Sequence, residues 1–288
     1  MDKIAAARTV GEALSAARLC YGTRVSYITT QALLSHATGY QKAWLAAHHE
    51  APLSIEQAYR FAAAIARAAD GEPLAYITGE REFGMLSFHV EPGVLVPRPE
   101  TESLVDEVVH WVHVHVSGAP RIIDVGTGSG VIAVSLAARL PHAYVVASDI
   151  TMRALKVTRI NAERHRVMQR IGLVQGSLLE PFAGPFDVIA ANLPYIDSSE
   201  LTELDVGVWE PLEALNGGSG GLALVDALLR QSPSRLAVGG LIALEIGYNQ
   251  GLQAVEMCVK AFPEARVTLH QDLAGLDRII TVNTSIPL

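Results

Sequence analysis

The chain has 288 residues, half of them hydrophobic and 18% charged, with a formal net charge of −8. That length carries one large or two modest domains with ample core, and the composition excludes a disordered chain. The acidic balance argues against a broad electrostatic grip on nucleic acid.

Cys20 and Cys258 lie far apart with no Cys-x-x-Cys spacing. A reduced, cytoplasmic chain without a disulfide framework is therefore expected. Met1-Asp2-Lys3-Ile4 is not a basic segment leading into a long apolar core, so no signal peptide is expected. No apolar run reaches the roughly 18 residues of a membrane span.

In chain order, residues 1–73 read as a small helical bundle. Residues 10–17 and 28–37 carry alanine and leucine at helical spacing. Ser54-Ile55-Glu56-Gln57 predicts a capped helix start running to about Ala69, stopped by Asp70-Gly71-Glu72-Pro73. Over residues 74–98, Tyr76, Ile77, Phe83, Phe88 and Val90 fall among Gly79, Gly84 and Gly93, which predicts a β-hairpin connector. Residues 99–288 open with a helix over 100–115 and then alternate. Strands are expected near 120–125, 143–148, 170–174, 186–191, 239–245, 266–270 and 278–283. Helices fill the gaps near 130–139, 151–165, 221–235 and 249–261. This alternation predicts an α/β fold with a mostly parallel, doubly wound, Rossmann-like sheet and right-handed crossovers.

The first expected strand of that sheet ends in Asp124-Val125-Gly126-Thr127-Gly128-Ser129-Gly130, followed by the apolar helix start Val131-Ile132-Ala133-Val134. Glycine permits positive φ and, lacking Cβ, lets a ligand approach the backbone at a helix N-terminus. A dinucleotide fingerprint would place its third glycine at position 131, where this chain has Val131. The tighter spacing favours S-adenosylmethionine over a dinucleotide. Asp149 ends the next strand, 149 − 130 = 19 residues beyond Gly130. There a carboxylate reaches the ribose hydroxyls of an adenosine; the other role open to it is capping the helix that begins near Thr151.

A later apolar strand, residues 186–191, runs into Asn192-Leu193-Pro194-Tyr195. An amide or planar amino nitrogen is a poor nucleophile because its lone pair is delocalised. A site that methylates one must hold its hydrogens with acceptors and aim the nitrogen. Asn192 and a backbone carbonyl can do so, with Pro194 stiffening the turn and Tyr195 packing on the planar group. Taken alone, Asn192 and Pro194 are also common turn residues. Position decides for the site, because ligands of open α/β sheets bind at the carboxyl ends of the strands.

With these motifs the chain resembles the PrmC/HemK family, the protein-(glutamine-N5) methyltransferases of peptide chain release factors. The resemblance rests on Pro73-Leu74-Ala75-Tyr76-Ile77-Thr78-Gly79 with Glu82-Phe83, and on residues 90–102, Val90-Glu91-Pro92-Gly93 through Val96-Pro97-Arg98-Pro99-Glu100-Thr101-Glu102. It extends to Glu210-Pro211, Gly217-Gly218 through Gly221-Leu222, Leu244-Glu245-Ile246-Gly247, and Asp272-Leu273-Ala274-Gly275 with Asp277-Arg278. The resemblance implies a class I S-adenosylmethionine methyltransferase. Gly126, Thr127, Gly128, Ser129, Gly130, Asp149, Ser177 and Asn192 would contact S-adenosylmethionine. Asn192, Leu193, Pro194 and Tyr195 would hold the glutamine of the release factor's Gly-Gly-Gln tip, with Asn192, Pro194 and Tyr195 serving the reaction. It further implies a release-factor-binding N-terminal domain; a monomer is expected, and the acidic charge and lack of a long apolar run predict no stable nucleic-acid or membrane partner.

The family usually has proline where this chain has Leu193, and another aromatic where Gly84 or Met85 stands. Asn-Leu-Pro-Tyr is the form associated with ribosomal-RNA adenine dimethyltransferases, so an amino methyltransferase acting on adenine or cytosine in nucleic acid is the alternative reading. His110, His113 and His115 share a predicted helix, but only the first two share a face and no further ligand completes a set, so no metal site is expected.

Overall fold

A computed structural model describes residues 2–201 and 209–287. The chain divides into two compact units, one ending at Glu80 and the other beginning at Arg81.

The first unit consists of α1 (Asp2–Ala5), α2 (Val10–Tyr21), α3 (Tyr27–Thr38), α4 (Lys42–Ala47), α5 (Ile55–Ala69) and α6 (Leu74–Thr78). Thr9, Ser26 and Ser54 cap α2, α3 and α5 by accepting from backbone N–H groups in the first turn, and Gln57 returns a bond to the Ser54 N–H. The apolar stripes of these helices meet in one core containing Ile4, Leu33, Leu34, Leu45, Phe61 and Ile65. Residues 74–78 depart from the expected hairpin. Tyr76 and Ile77 look like strand residues, yet they lie buried on α6, which follows Pro73 and closes at Gly79 with φ 74°.

The hairpin itself is shorter than expected, β1 (Glu80–Phe83) and β2 (Leu86–His89). It leads to α7 (Thr101–His115), which carries the three histidines. Then follow β3 (Arg121–Val125), α8 (Val131–Arg139), β4 (Tyr144–Asp149), α9 (Met152–Arg164), β5 (Ile171–Gln175), β6 (Phe186–Ala191), α10 (Ala223–Gln231), β7 (Leu236–Glu245), α11 (Gly251–Ala261), β8 (Ala265–Gln271) and β9 (Asp277–Pro287). The strands form one seven-stranded sheet in the order β5-β4-β3-β6-β7-β9-β8. Pairing is parallel from β5 through β7, while β9 runs antiparallel to both β7 and β8.

One strand is clearly longer than its apolar run suggests. β7 begins at Leu236, ahead of Gly239-Gly240, because Leu236 pairs with Phe186 and Leu241 with Val188, leaving residues 237–240 opposite Asp187 alone. Such a bulge breaks the alternation that reveals a strand in sequence.

Successive residues of the central strands feed opposite layers. Ile122, Val188, Ala190, Leu241 and Ala243 pack with Leu104, Val108 and Leu136 of α7 and α8. Ile123, Ile189, Ala191, Ile242 and Leu244 pack with Val225, Leu228, Ala254 and Cys258 of α10 and α11. A sheet covered on both faces requires continuous apolar strands, and these are. Strand order reverses at β3, whose neighbours are β4 on one side and β6 on the other. That reversal opens a crevice at the carboxyl ends of these three strands.

Asn161 of α9, fully buried, ties the hairpin to the rest of the second unit. Its Oδ1 accepts from the His89 N–H at 2.7 Å, and its Nδ2 donates to the carbonyls of His89 (2.9 Å) and Ser129 (2.8 Å). Asn161→Ala strands these backbone groups and is expected to lower the urea-unfolding free energy by about 2–4 kcal/mol.

Candidate active site

The glycine loop is shaped by backbone conformation. Gly126, Gly128 and Gly130 have φ of 74°, 57° and 82°, the left-handed region that other residues enter at a cost. The N–H groups of Gly126 and Thr127 both donate to the Ser148 carbonyl at 2.9 Å, folding the loop onto the end of β4. A Cβ on Gly130 would meet Thr158 of α9, whose hydroxyl donates to the Gly128 carbonyl at 3.1 Å.

Two carboxylates fix this turn. Asp124, wholly buried, accepts on Oδ2 from the Thr127 hydroxyl (2.6 Å) and the Ala133 N–H (3.0 Å). Burial pushes its pKa up to about 7, against the pull of those two hydrogen bonds. Asp149 uses both oxygens. Oδ2 accepts from the Gly128 N–H (3.0 Å), and Oδ1 from the Thr151 N–H (2.8 Å) and hydroxyl (3.0 Å). Thr151 is the residue that caps α9, through the Ala154 N–H. Asp149 therefore supports the helix cap and pins the glycine loop at once.

On the other side of β3, the Asn192 amide donates through Nδ2 to Thr101 Oγ1 (3.0 Å), and that hydroxyl donates to Glu245 Oε2 (2.6 Å). Leu193 turns into the core, 5% exposed, close to Gly126. Gln250 Nε2 donates to the Tyr195 carbonyl at 2.8 Å, while its Oε1 accepts from the Gly247 N–H. Gly217 and Gly221 press their backbones on the same segment. A Cβ at 217 would lie 2.6 Å from the Pro194 carbonyl oxygen, and one at 221 would fall onto that of Tyr195. Burial, then the nearby Glu245 carboxylate, raise the pKa of the Tyr195 phenol.

A cleft of about 650 Å³ joins these parts. Gly126, Thr127, Gly128, Ser129, Asp149, Ser177, Asn192, Leu193 and Pro194 line it; Gly130 and Tyr195 do not. Gly130 instead opens α8, and Tyr195 is held by its carbonyl.

Several wall residues carried no individual role in the sequence reading. Val94, Leu95, Pro97, Arg98 and Thr101 come from the proline-rich stretch before α7, and Pro211 and Glu213 from beyond residue 209. The buried Glu210 binds the two stretches together, accepting from the Val96 N–H at 3.0 Å and from Arg98 at 2.5 Å. The available signal was the density of proline and charge in 97–102 and 210–213. Among the described residues no cluster of three or more His, Cys, Asp or Glu could hold a metal ion, and no helix is long and apolar enough to cross a membrane.

Sheet order, glycine loop and cleft together define a Rossmann-like methyltransferase. Consistent with this, residues 108–209 match the family model described as methyltransferase small domain. A methyltransferase from Pyrococcus furiosus shares the fold at 18% identity, with a TM-score of 0.51 over 69% of this chain and 89% of that one.

The remaining comparisons are more specific. Residues 22–79 match the PrmC N-terminal domain. The release factor glutamine methyltransferase of Geobacter sulfurreducens is 37% identical over 263 residues, 90% of each chain. That of Moorella thermoacetica is 41% identical over 254 residues, 87% of this chain and 89% of its own. This chain belongs to the release factor glutamine methyltransferase family.

Two outcomes follow from the geometry. Gly221→Ala forces the Tyr195 carbonyl to move and is expected to reduce turnover at least about tenfold in a folded protein, measured by methyl transfer alongside thermal unfolding.

Asp124 offers a stability test. Its folded pKa of about 7 lies above the ordinary 3.8. The retained proton therefore stabilises the fold fully below about pH 4, and this contribution is lost as pH rises through about 7. Asp124→Asn cannot ionise. Its stability relative to wild type, from urea unfolding, should rise between pH 4 and pH 8.

Proposed function

We propose that this chain binds S-adenosylmethionine in the cleft and methylates the side-chain amide nitrogen of the glutamine in a release factor's Gly-Gly-Gln motif, leaving S-adenosylhomocysteine. The observation that carries this reading is that the glycine loop, Asp149 and residues 192–194 line a single cleft.

The chain's own groups fit the cofactor. Backbone bared by the positive-φ glycines Gly126 and Gly128 lines the cleft, with Asp149 beside it for ribose hydroxyls. Ser177 and Ile150 also line the cleft and are suited to the adenine. When bound, S-adenosylmethionine supplies a methyl group activated by its sulfonium charge. Asn192 accepts one amide hydrogen of the glutamine on Oδ1, and a backbone carbonyl of the Leu193-Pro194 turn accepts the other. Together they hold the nitrogen with its lone pair aimed at the methyl. The proton leaves after transfer, so the residues need supply no strong base.

The N-terminal helical domain, residues 1–73, is assigned to release-factor binding, and the enzyme acts as a cytoplasmic monomer. The feature that favoured a nucleic-acid substrate, Leu193, packs beside Gly126 and also lines the cleft; the acidic balance and the family of the relatives favour the release factor.

The deciding experiment supplies radiolabelled S-adenosylmethionine with purified release factor or ribosomal RNA and maps the modified residue by mass. Label on the Gly-Gly-Gln glutamine is expected; label on RNA with none on release factor refutes the reading. Asp149→Ala removes ribose contacts and loosens Gly128, so calorimetry should show S-adenosylmethionine binding weakened about ten- to a hundredfold. Asn192→Ala should keep much of that affinity while turnover falls at least about a hundredfold.

A further inference from the structure

A hydrogen-bond chain buried behind Asn192 has a direction, and the direction matters. Glu245 is 1% exposed at the end of β7, and Thr101, 2% exposed, opens α7. Glu245 Oε2 lies 2.6 Å from Thr101 Oγ1, which lies 3.0 Å from Asn192 Nδ2. Among the described residues Glu245 Oε1 has no hydrogen-bond partner.

An ionised carboxylate only accepts, and a threonine hydroxyl has one hydrogen to give. With that hydrogen committed to Glu245, Thr101 can meet Asn192 only as an acceptor. The Asn192 amide must then present its NH₂ to Thr101 and turn Oδ1 away from it. An asparagine at this place could otherwise adopt either of two amide orientations of nearly identical shape, one offering the substrate an acceptor and the other a donor. A glutamine amide nitrogen carries two hydrogens, so only the acceptor orientation serves.

We propose that Glu245 and Thr101 are positioning residues that set the amide orientation of Asn192, and thereby its ability to hold the substrate amide. The inference rests on the role given to Asn192 above. Protonation of Glu245 removes the directing force: a carboxylic acid can donate to Thr101, free the hydroxyl hydrogen for Asn192 Oδ1, and turn the amide the wrong way.

The surroundings place that protonation within reach of experiment. Burial raises the Glu245 pKa to about 7, and Glu100 at the start of α7 pushes the same way. The Thr101 hydrogen bond, the Arg278 guanidinium on β9 and the nearby Asn192 amide oppose it. Tyr195, whose phenol feels the same carboxylate, keeps its proton throughout this range, its pKa being raised from 10.0.

The test is the pH dependence of kcat on release factor, from pH 5.5 to 8.5, for four proteins. Wild type should lose turnover on the acid side as Glu245 takes up its proton. Glu245→Gln cannot titrate and should lose that acid limb; a limb unchanged in this variant overturns the proposal. Thr101→Val, nearly isosteric, should lower kcat at least about tenfold and flatten the limb, with S-adenosylmethionine affinity within about threefold of wild type. Thr101→Ser should restore both the rate and the limb. A Thr101→Val enzyme with wild-type kcat and limb, or a Thr101→Ser enzyme as impaired as Thr101→Val, also overturns the proposal. Should Thr101→Val not fold, Glu245→Gln and Thr101→Ser decide alone. Asn192→Ala separates the two levels. Normal turnover there removes the role of Asn192 itself, whereas its loss beside a normal Thr101→Val removes only the relay.

Discussion

The second unit depends on how a bare turn of backbone is held at the end of β3. Residues 126–130 have few side-chain atoms with which to hold themselves, so the restraint comes from outside. The Ser148 carbonyl takes two of their N–H groups, Asp149 a third, and Thr158 grips the Gly128 carbonyl. Every one of these partners lies on or just beyond β4 or on α9. The correct shape of the loop thus presupposes the β3–β4 pairing, and the start of α9 presupposes Asp149. A ligand settling on Asp149 would add to a carboxylate already oriented on both oxygens, so little ordering is left to be done on binding.

The side of the cleft around Asn192 is built on a different principle. Asn192 follows β6 directly, but its amide is oriented by Thr101 and Glu245, which lie on α7 and β7. The loop side gains precision from short backbone contacts. The Asn192 side gains it from a largely buried polar chain, where a lone unmatched partner is costly. The sheet brings both to one crevice because strand order reverses at β3.

Legibility in the sequence followed the same division. The glycine loop, Asp149 and Asn192-Leu193-Pro194-Tyr195 could be read because each is a local pattern at the end of an apolar strand. The doubly wound order of helices and strands was legible for the same reason. What escaped are pairings across long stretches of chain. Thr101 with Glu245, and Arg98 with Glu210, are separated by 144 and 112 residues, and no local periodicity marks them. The antiparallel return of β9 between β7 and β8 is likewise a matter of topology. Residues 74–78 misled for a local reason: Tyr76, Ile77 and Thr78 have strand character, yet Tyr76 and Ile77 lie buried on a single helical turn.

The glycines at 217 and 221 carry an implication for which positions can vary. They meet the Pro194-Tyr195 segment through main-chain atoms, with no room for a single methyl group, whereas Leu193 between Asn192 and Pro194 fills space beside Gly126 with a flexible side chain. The letters of the tetrapeptide 192–195 thus differ in freedom. Its second position answers to core volume and can drift among apolar residues of similar size. Two glycines some twenty residues downstream have no such latitude, although neither belongs to the tetrapeptide that they shape.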